Sequence, residues 1–186
     1  MKNPTFHIYT GCMFSGKSSR LVSHIDRCKY QHRSVIVFKP VIDDRYDVGS
    51  ITTHSGAKIE ALNVKSGSEI LKALLDAQTM PDTVAVDEAW LIPGCADALR
   101  DVFRMGISVI VATIDLLANC KELSEVQKMT SWATHIEKCP AVCTVCGQDA
   151  YYSYAKVVDD RDIVIGGEEA YESRCFRCHP LIRTVS

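Results

Sequence analysis

The chain has 186 residues, 47% of them hydrophobic and 24% charged, with 21 Lys+Arg against 23 Asp+Glu for a net charge of -2. This is globular composition, enough for one substantial core and a small appendage, and it excludes a disordered or fibrous chain. The near-neutral balance offers no basic field to hold a polyanion, and there is neither a signal-like apolar start nor a run of about 18 apolar residues; the expectation is no nucleic-acid partner, no membrane contact and a cytoplasmic location.

In chain order, "FHIYT" (6–10) predicts a short strand running into "TGCMFSGKSSR" (10–20). From Ser18 the residues Leu21, Val22, Ile25 and Cys28 recur at helical spacing and predict an amphipathic helix. "SVIVFKP" (34–40) predicts a second strand, and the segment "IDDRYDVGSITTHSG" (42–56) is too rich in Asp, Gly and Ser to be regular. "SEILKALLDA" predicts a helix, "TVAVDEA" a strand, "ADALRDVFRMG" a helix stopped at Gly106, and "ISVIVATID" the most apolar strand. Continuous apolar strands separated by helices argue for a parallel sheet covered on both faces. No internal repeat or low-complexity tract is present.

Within that order the 10–20 stretch has the strand before it and the helix after it that a phosphate-binding loop requires. Gly11 and Gly16 permit a backbone that turns successive N–H groups, through Met13 and Ser15, inward at phosphate oxygens. Lys17 would neutralise β- and γ-phosphate charge, and the Ser18 hydroxyl, with Ser19 behind it at the positive end of the helix, would hold Mg²⁺. "TVAVDEA" supplies the acidic strand end that such a loop needs: Asp87 to hold the metal directly or through water, and Glu88 to accept a proton from a substrate hydroxyl or from water. A kinase and an ATPase are both open on these residues. "DEAW" is also similar to the Asp-Glu-Ala-x box of helicases, which need a second motor domain for which 186 residues leave no room.

Of the nine cysteines, Cys12, Cys28, Cys95, Cys120 and Cys139 are scattered and read as small apolar residues. The other four form two Cys-x-x-Cys knuckles, Cys143/Cys146 and Cys175/Cys178, whose thiolates suit one tetrahedral, structural Zn²⁺. Between the knuckles, "YYSYAKVV" and "DIVIGG" around "DDRD" read as a hairpin that returns its ends to one place. His179 is a conceivable substitute ligand, but the matching spacing favours Cys178. The chain divides into a phosphate-loop α/β domain (1–138) and a zinc lobe (139–186), so that loss of the metal is expected to disturb its own lobe more than nucleotide binding at the phosphate loop.

"TGCMFSGKSS", "FKPVIDDRY", "THSG", "VDEA", "VATID", both knuckles and "IGGEEAYESRCFRC", in this order and spacing, resemble the thymidine kinases of the cytosolic, zinc-containing type (type II). The resemblance implies a RecA-like α/β P-loop domain with a small C-terminal zinc-binding β lobe, whose loop (about 147–171) closes over the nucleoside. It implies phosphoryl transfer from ATP with Mg²⁺ to a deoxynucleoside, in salvage for DNA synthesis, by a homo-tetramer. By position, Met13 would line the base pocket, Asp43 and Arg45 would approach the phosphates or the 5′ end, with Arg45 steadying transition-state charge, and Glu88 would be the general base. Ser153 and Tyr171 would flank the base, and the backbone of Ile163, Val164 and Ile165 would read its polar edge.

The sequence departs from the family pattern around the base. Where the family has Asp-Glu-x-Gln-Phe this chain has Asp87-Glu88-Ala89-Trp90-Leu91; Ala118 falls near a family Phe whose following Pro-Phe is missing; and Ser153 replaces Thr. Two acceptors follow from this: thymidine with Trp90 filling the space, or a deoxynucleoside enlarged at C5, which would use the Ser153 hydroxyl. From another class, a nucleotide-binding ATPase or a regulatory zinc-ribbon module uses the same loop and knuckles without a nucleoside.

Overall fold

The computed structural model describes residues 3–41, 50–52, 58–156 and 166–183. Its centre is a six-stranded sheet in the order β5-β2-β6-β7-β1-β8. The strands are β1 (Phe6–Thr10), β2 (Val35–Pro40), β5 (Leu62–Val64), β6 (Thr83–Val86), β7 (Ser108–Thr113) and β8 (His135–Lys138), with every neighbouring pair parallel.

The central strands β2, β6, β7 and β1 are mostly apolar because both faces of the sheet are covered there. Phe6, Ile8, Phe38, Val84, Val86, Val109 and Val111 point into one core against helices α2 (Gly67–Leu75), α3 (Cys95–Arg104) and α4 (Ser124–Thr130). The alternate residues Val37, Ala85, Ile110 and Ala112 point the other way, against Leu21, Val22, Ile25 and Cys28 of α1 (Lys17–Tyr30). This is the period-two alternation of a sheet buried twice, and each fully buried Leu, Ile or Phe contributes about 1.5–3 kcal/mol.

Three features differ from the sequence-based expectation. The segment expected to be irregular contains β3 (Ser50–Thr52), antiparallel to β4 (Lys58–Glu60). One buried isoleucine from each strand, Ile51 opposite Ile59, ties this ribbon to the α1 core, too brief an apolar signal to show as periodicity. The edge strand β8, "HIEK", is exposed along its length and forms through its backbone ladder with β1.

In the C-terminal lobe, β11 (Tyr152–Ala155) pairs antiparallel with β12 (Tyr171–Arg174), a ribbon that the hairpin expectation did not include. Residues 157–165 lie outside the described residues, and with them the turn and most of the second strand of the expected hairpin. A second small ribbon joins β9 (Ala141–Val142) to β10 (Asp149–Ala150), and α5 (Pro180–Arg183) follows the second knuckle. Among the described residues no helix is long and apolar enough to cross a membrane.

Candidate functional site

The loop after β1 and the residues after β6 emerge at the same, carboxyl, edge of the sheet with β7 between them, where parallel α/β sheets bind ligands. Gly11 has φ 140, and a Cβ there would come within 2.4 Å of the Cys139 carbonyl oxygen, so only glycine lets the loop pass beneath the chain leaving β8. Gly16, at φ 76, opens α1; no side chain caps that end, and its first turn carries no acidic residue. The free N–H groups and positive dipole end of a 14-residue helix therefore face the loop.

Lys17 is buried, and its ammonium donates to the Cys12 carbonyl at 2.7 Å, which also accepts from the Ser15 hydroxyl at 2.8 Å. Ser19 is half-buried on the first turn of α1. The Ser18 hydroxyl donates to Asp87 Oδ1 at 3.0 Å, joining the loop to the end of β6. Asp87 is itself buried and accepts from the Glu88 amide at 3.1 Å. Lys17, Ser18, Asp87 and Glu88 are thus assembled from two strand ends, as their spacing predicts.

Glu88 has φ 47 and ψ 43, left-handed for a residue with a Cβ, a conformation that costs on the order of 1 kcal/mol or more and recurs at functional sites. It opens a single 3₁₀ turn, Ala89–Leu91, and its carboxylate Oε2 accepts the Trp90 indole N–H at 2.7 Å. The rest of the Trp90 ring packs against the larger core. Trp90, expected from the sequence only as a filler of space around the nucleobase, therefore contacts the candidate general base Glu88. Two-residue spacing across a tight turn was the one available signal.

Leu91 and Ala118 are half-buried, in the segments that follow β6 and β7. Asp115, also after β7, gives one oxygen to Lys138 at 2.7 Å, while its other oxygen is buried with no hydrogen bond among the described residues. Met13 is half-buried, with its peptide held on both sides by the C-terminal lobe: its N–H donates to Ser153 Oγ at 3.0 Å, and its carbonyl accepts from Ser173 Oγ at 2.9 Å. Ser153 is buried, so its hydroxyl addresses the loop rather than open space. Tyr171, two residues before Ser173, lies on the same face of the ribbon and is half-buried. Asp43, Arg45, Ile163, Val164 and Ile165 lie outside the described residues. Ser173 carries no sequence signal, because a strand serine looks like any other polar ribbon residue.

The sulfurs of Cys143, Cys146, Cys175 and Cys178 all lie within 4.8 Å of one another. Four thiolates at about 2.3 Å from a tetrahedral Zn²⁺ would sit about 3.8 Å apart, so the set fits structural zinc. Burial raises the Cys143 thiol, but backbone N–H groups around both knuckles outweigh it and bring the pKa to about 6, a sulfur already disposed to ionise. The sulfur–sulfur hydrogen bond with Cys175 instead pushes Cys178 up to about 12, a proton that a bound cation would displace. His179 is buried and turned away, its Nε2 at 3.0 Å from the Ser153 carbonyl, so the fourth ligand position is Cys178.

The sequence model of the thymidine kinase family matches residues 4–179, nearly the whole chain. The chain belongs to the thymidine kinase family. Its four-cysteine cluster fits the zinc-containing, type II branch. As a thymidine kinase family member it is a nucleoside phosphotransferase, which separates it from the helicase, ATPase and regulatory readings of the same motifs.

Proposed function

We propose that this thymidine kinase family member transfers the γ-phosphoryl group of ATP, with Mg²⁺, to the 5′-hydroxyl of a deoxynucleoside, thymidine by default. The observation that carries the reading is the Ser18–Asp87–Glu88 chain of contacts beside Lys17, which gathers at one sheet edge the residues that would serve as metal ligands and as base. A bound Mg²⁺ would supply positive charge to offset that developing on the phosphates.

The loop N–H groups between Gly11 and Ser18 would cradle the phosphates, and Lys17 would exchange the Cys12 carbonyl for a phosphate oxygen. Ser18 and Asp87 would hold the cation, and Glu88 would accept the 5′-hydroxyl proton. Arg45 and Asp43 would act at the phosphate and sugar end, with Met13, Leu91, Ala118, Tyr171 and the 163–165 backbone around the base. The zinc lobe would close over the nucleoside and exclude the water that competes as acceptor. We extend the reading to a cytoplasmic homo-tetramer, which analytical ultracentrifugation tests.

Thymidine gains support over a C5-enlarged nucleoside from two contacts. Trp90 packs against the core, the inward orientation that the thymidine reading needs, and the Ser153 hydroxyl is buried and already engaged with Met13. The test is monophosphate formation across natural and C5-substituted nucleosides, with ADP release measured alongside. Thymidine-dependent ADP release supports the reading; ADP release indifferent to every nucleoside overturns it, and preference for 5-hydroxymethyl-deoxyuridine would restore the enlarged-base alternative.

A further inference from the structure

Ser153 and Ser173 are directly opposite each other in the β11–β12 register. Opposed residues of an antiparallel pair project to one face, and here both hydroxyls close on the same peptide, Met13 of the phosphate loop, one taking its N–H and the other giving to its carbonyl. Both serines are buried, so these bonds lie where water does not compete for them.

The serines are held in turn by the knuckles. The Ser173 carbonyl accepts the amide of Thr144, the residue after Cys143, at 3.1 Å, and Ser173 is two residues from Cys175. The Ser153 carbonyl faces Nε2 of His179, the residue after Cys178, at 3.0 Å. A third contact runs alongside, from the Cys12 thiol to the Ala150 carbonyl at 3.4 Å, within a small apolar cluster containing Cys12, Cys143 and Cys175. Each serine is thus a link between a metal-binding knuckle and the phosphate loop.

We propose that Ser153 and Ser173 are positioning residues that clamp the phosphate loop, so that Zn²⁺ in the four-cysteine site sets the loop's affinity for nucleotide. This rests on the reading of the loop as the ATP cradle. Cross-linking the knuckles fixes Thr144 and His179, these fix the two serine carbonyls, and the paired hydroxyls hold the Met13 peptide. A loop held in this way has its N–H groups arranged before the phosphates arrive. Without the cross-link the ribbon loosens and the loop must be ordered at binding.

The test measures ATP affinity by calorimetry on the full-length, zinc-loaded protein, with zinc content and melting temperature followed in parallel. Ser153→Ala and Ser173→Ala are each expected to weaken ATP binding about fivefold, the scale of one hydrogen bond, with one zinc per chain retained; Ser153→Thr, which keeps the hydroxyl, should stay within about twofold of the unaltered protein. Chelating the zinc should weaken ATP binding about tenfold in the unaltered protein but only about twofold in the double alanine variant, since the link is already cut. ATP affinity indifferent to the serines, or an equal effect of chelation with and without them, overturns the clamp. Loss of zinc in the alanine variants also overturns it, by assigning the hydroxyls to the lobe's own folding. Failure of the unaltered protein to bind ATP at all would instead refute the proposed function.

Discussion

The phosphate loop and the four-cysteine lobe meet at one peptide, yet they are built on opposite principles. The loop springs from a parallel sheet whose strands are buried on both faces, so its ends are fixed by two apolar cores before any ligand is considered. Among its described residues the lobe has two short ribbons and a small cluster, Ala141, Cys143, Ala150 and Cys175 packed with Cys12 of the loop, which is little apolar surface to order them by burial alone. A metal held by the four cysteines would do there what the hydrophobic effect does in the sheet. The ends of the phosphate loop are therefore fixed by the sheet itself, whereas the lobe, and through it the Met13 peptide in the middle of the loop, is conditional on the lobe's thiolates.

The strongest way to isolate the sheet side is Glu88→Gln. It keeps the shape of the residue and the site for the Trp90 N–H while removing the base, so transfer should fall about 10²-fold or more with ATP affinity retained. Single-turnover phosphate transfer beside a nucleotide titration checks this, and near-normal turnover would remove Glu88 from the chemistry. On the other side, Cys175→Ser should abolish zinc binding and sensitise the lobe to protease, while the sheet's circular dichroism persists. Contrary to the expectation from two separate domains, nucleotide affinity should drop along with nucleoside affinity, because the hydrogen bonds to Met13 cross between them.

A finer probe of the sheet side is the indole contact. Trp90→Phe removes the N–H that orients the Glu88 carboxylate and should lower the transfer rate about fivefold without changing ATP affinity, whereas Trp90→Gln, which restores a donor, should lose less. The smallest effect expected concerns acid. His24, facing His7, Arg27 and Arg33 and bonded to the Tyr9 hydroxyl, is lowered to about 4, first by burial and then by its charged neighbours; His7, itself lowered by burial, stacks on His135 and lies near Glu137. The folded pKa lies below the unfolded value, so the unfolded chain binds more protons between about 6.5 and 4. The His24 contribution is thus complete above about pH 6.5 and is lost as pH falls towards 4. Half-exposure discounts it to a drop in melting temperature of roughly a few degrees. Acid also protonates the zinc thiolates, and His24→Gln should remove only the sheet's share of the loss.

Local chemistry explains why so much of the phosphate side was legible. Gly11 and Gly16 are required by their own φ values, α1 follows the spacing of Leu21, Val22, Ile25 and Cys28, and Asp87 and Glu88 terminate an apolar run. Each signal lies within a few residues of the feature it specifies. The four cysteines were legible for a related reason, since Cys-x-x-Cys fixes two ligands at once and two such pairs leave few other uses. β5 and β8 were not legible: one has three residues and the other is exposed throughout, so neither carries a buried period.

By itself, then, the sequence determined the strand, glycine loop and helix, the alternation of strands and helices, the acidic pair after β6 and the metal knuckles, because each is written in neighbouring residues. Only the tertiary structure decided that β11 pairs with β12, that Trp90 donates to Glu88, and that Ser153 and Ser173 grip the peptide of Met13, 140 and 160 residues away. The physical reason is that these partners are backbone groups and generic donors, which every residue or many residues carry. What selects one N–H or carbonyl among so many is the register of a ribbon and its distance from the loop, and those exist only once the sheet and the cysteine lobe have folded against each other.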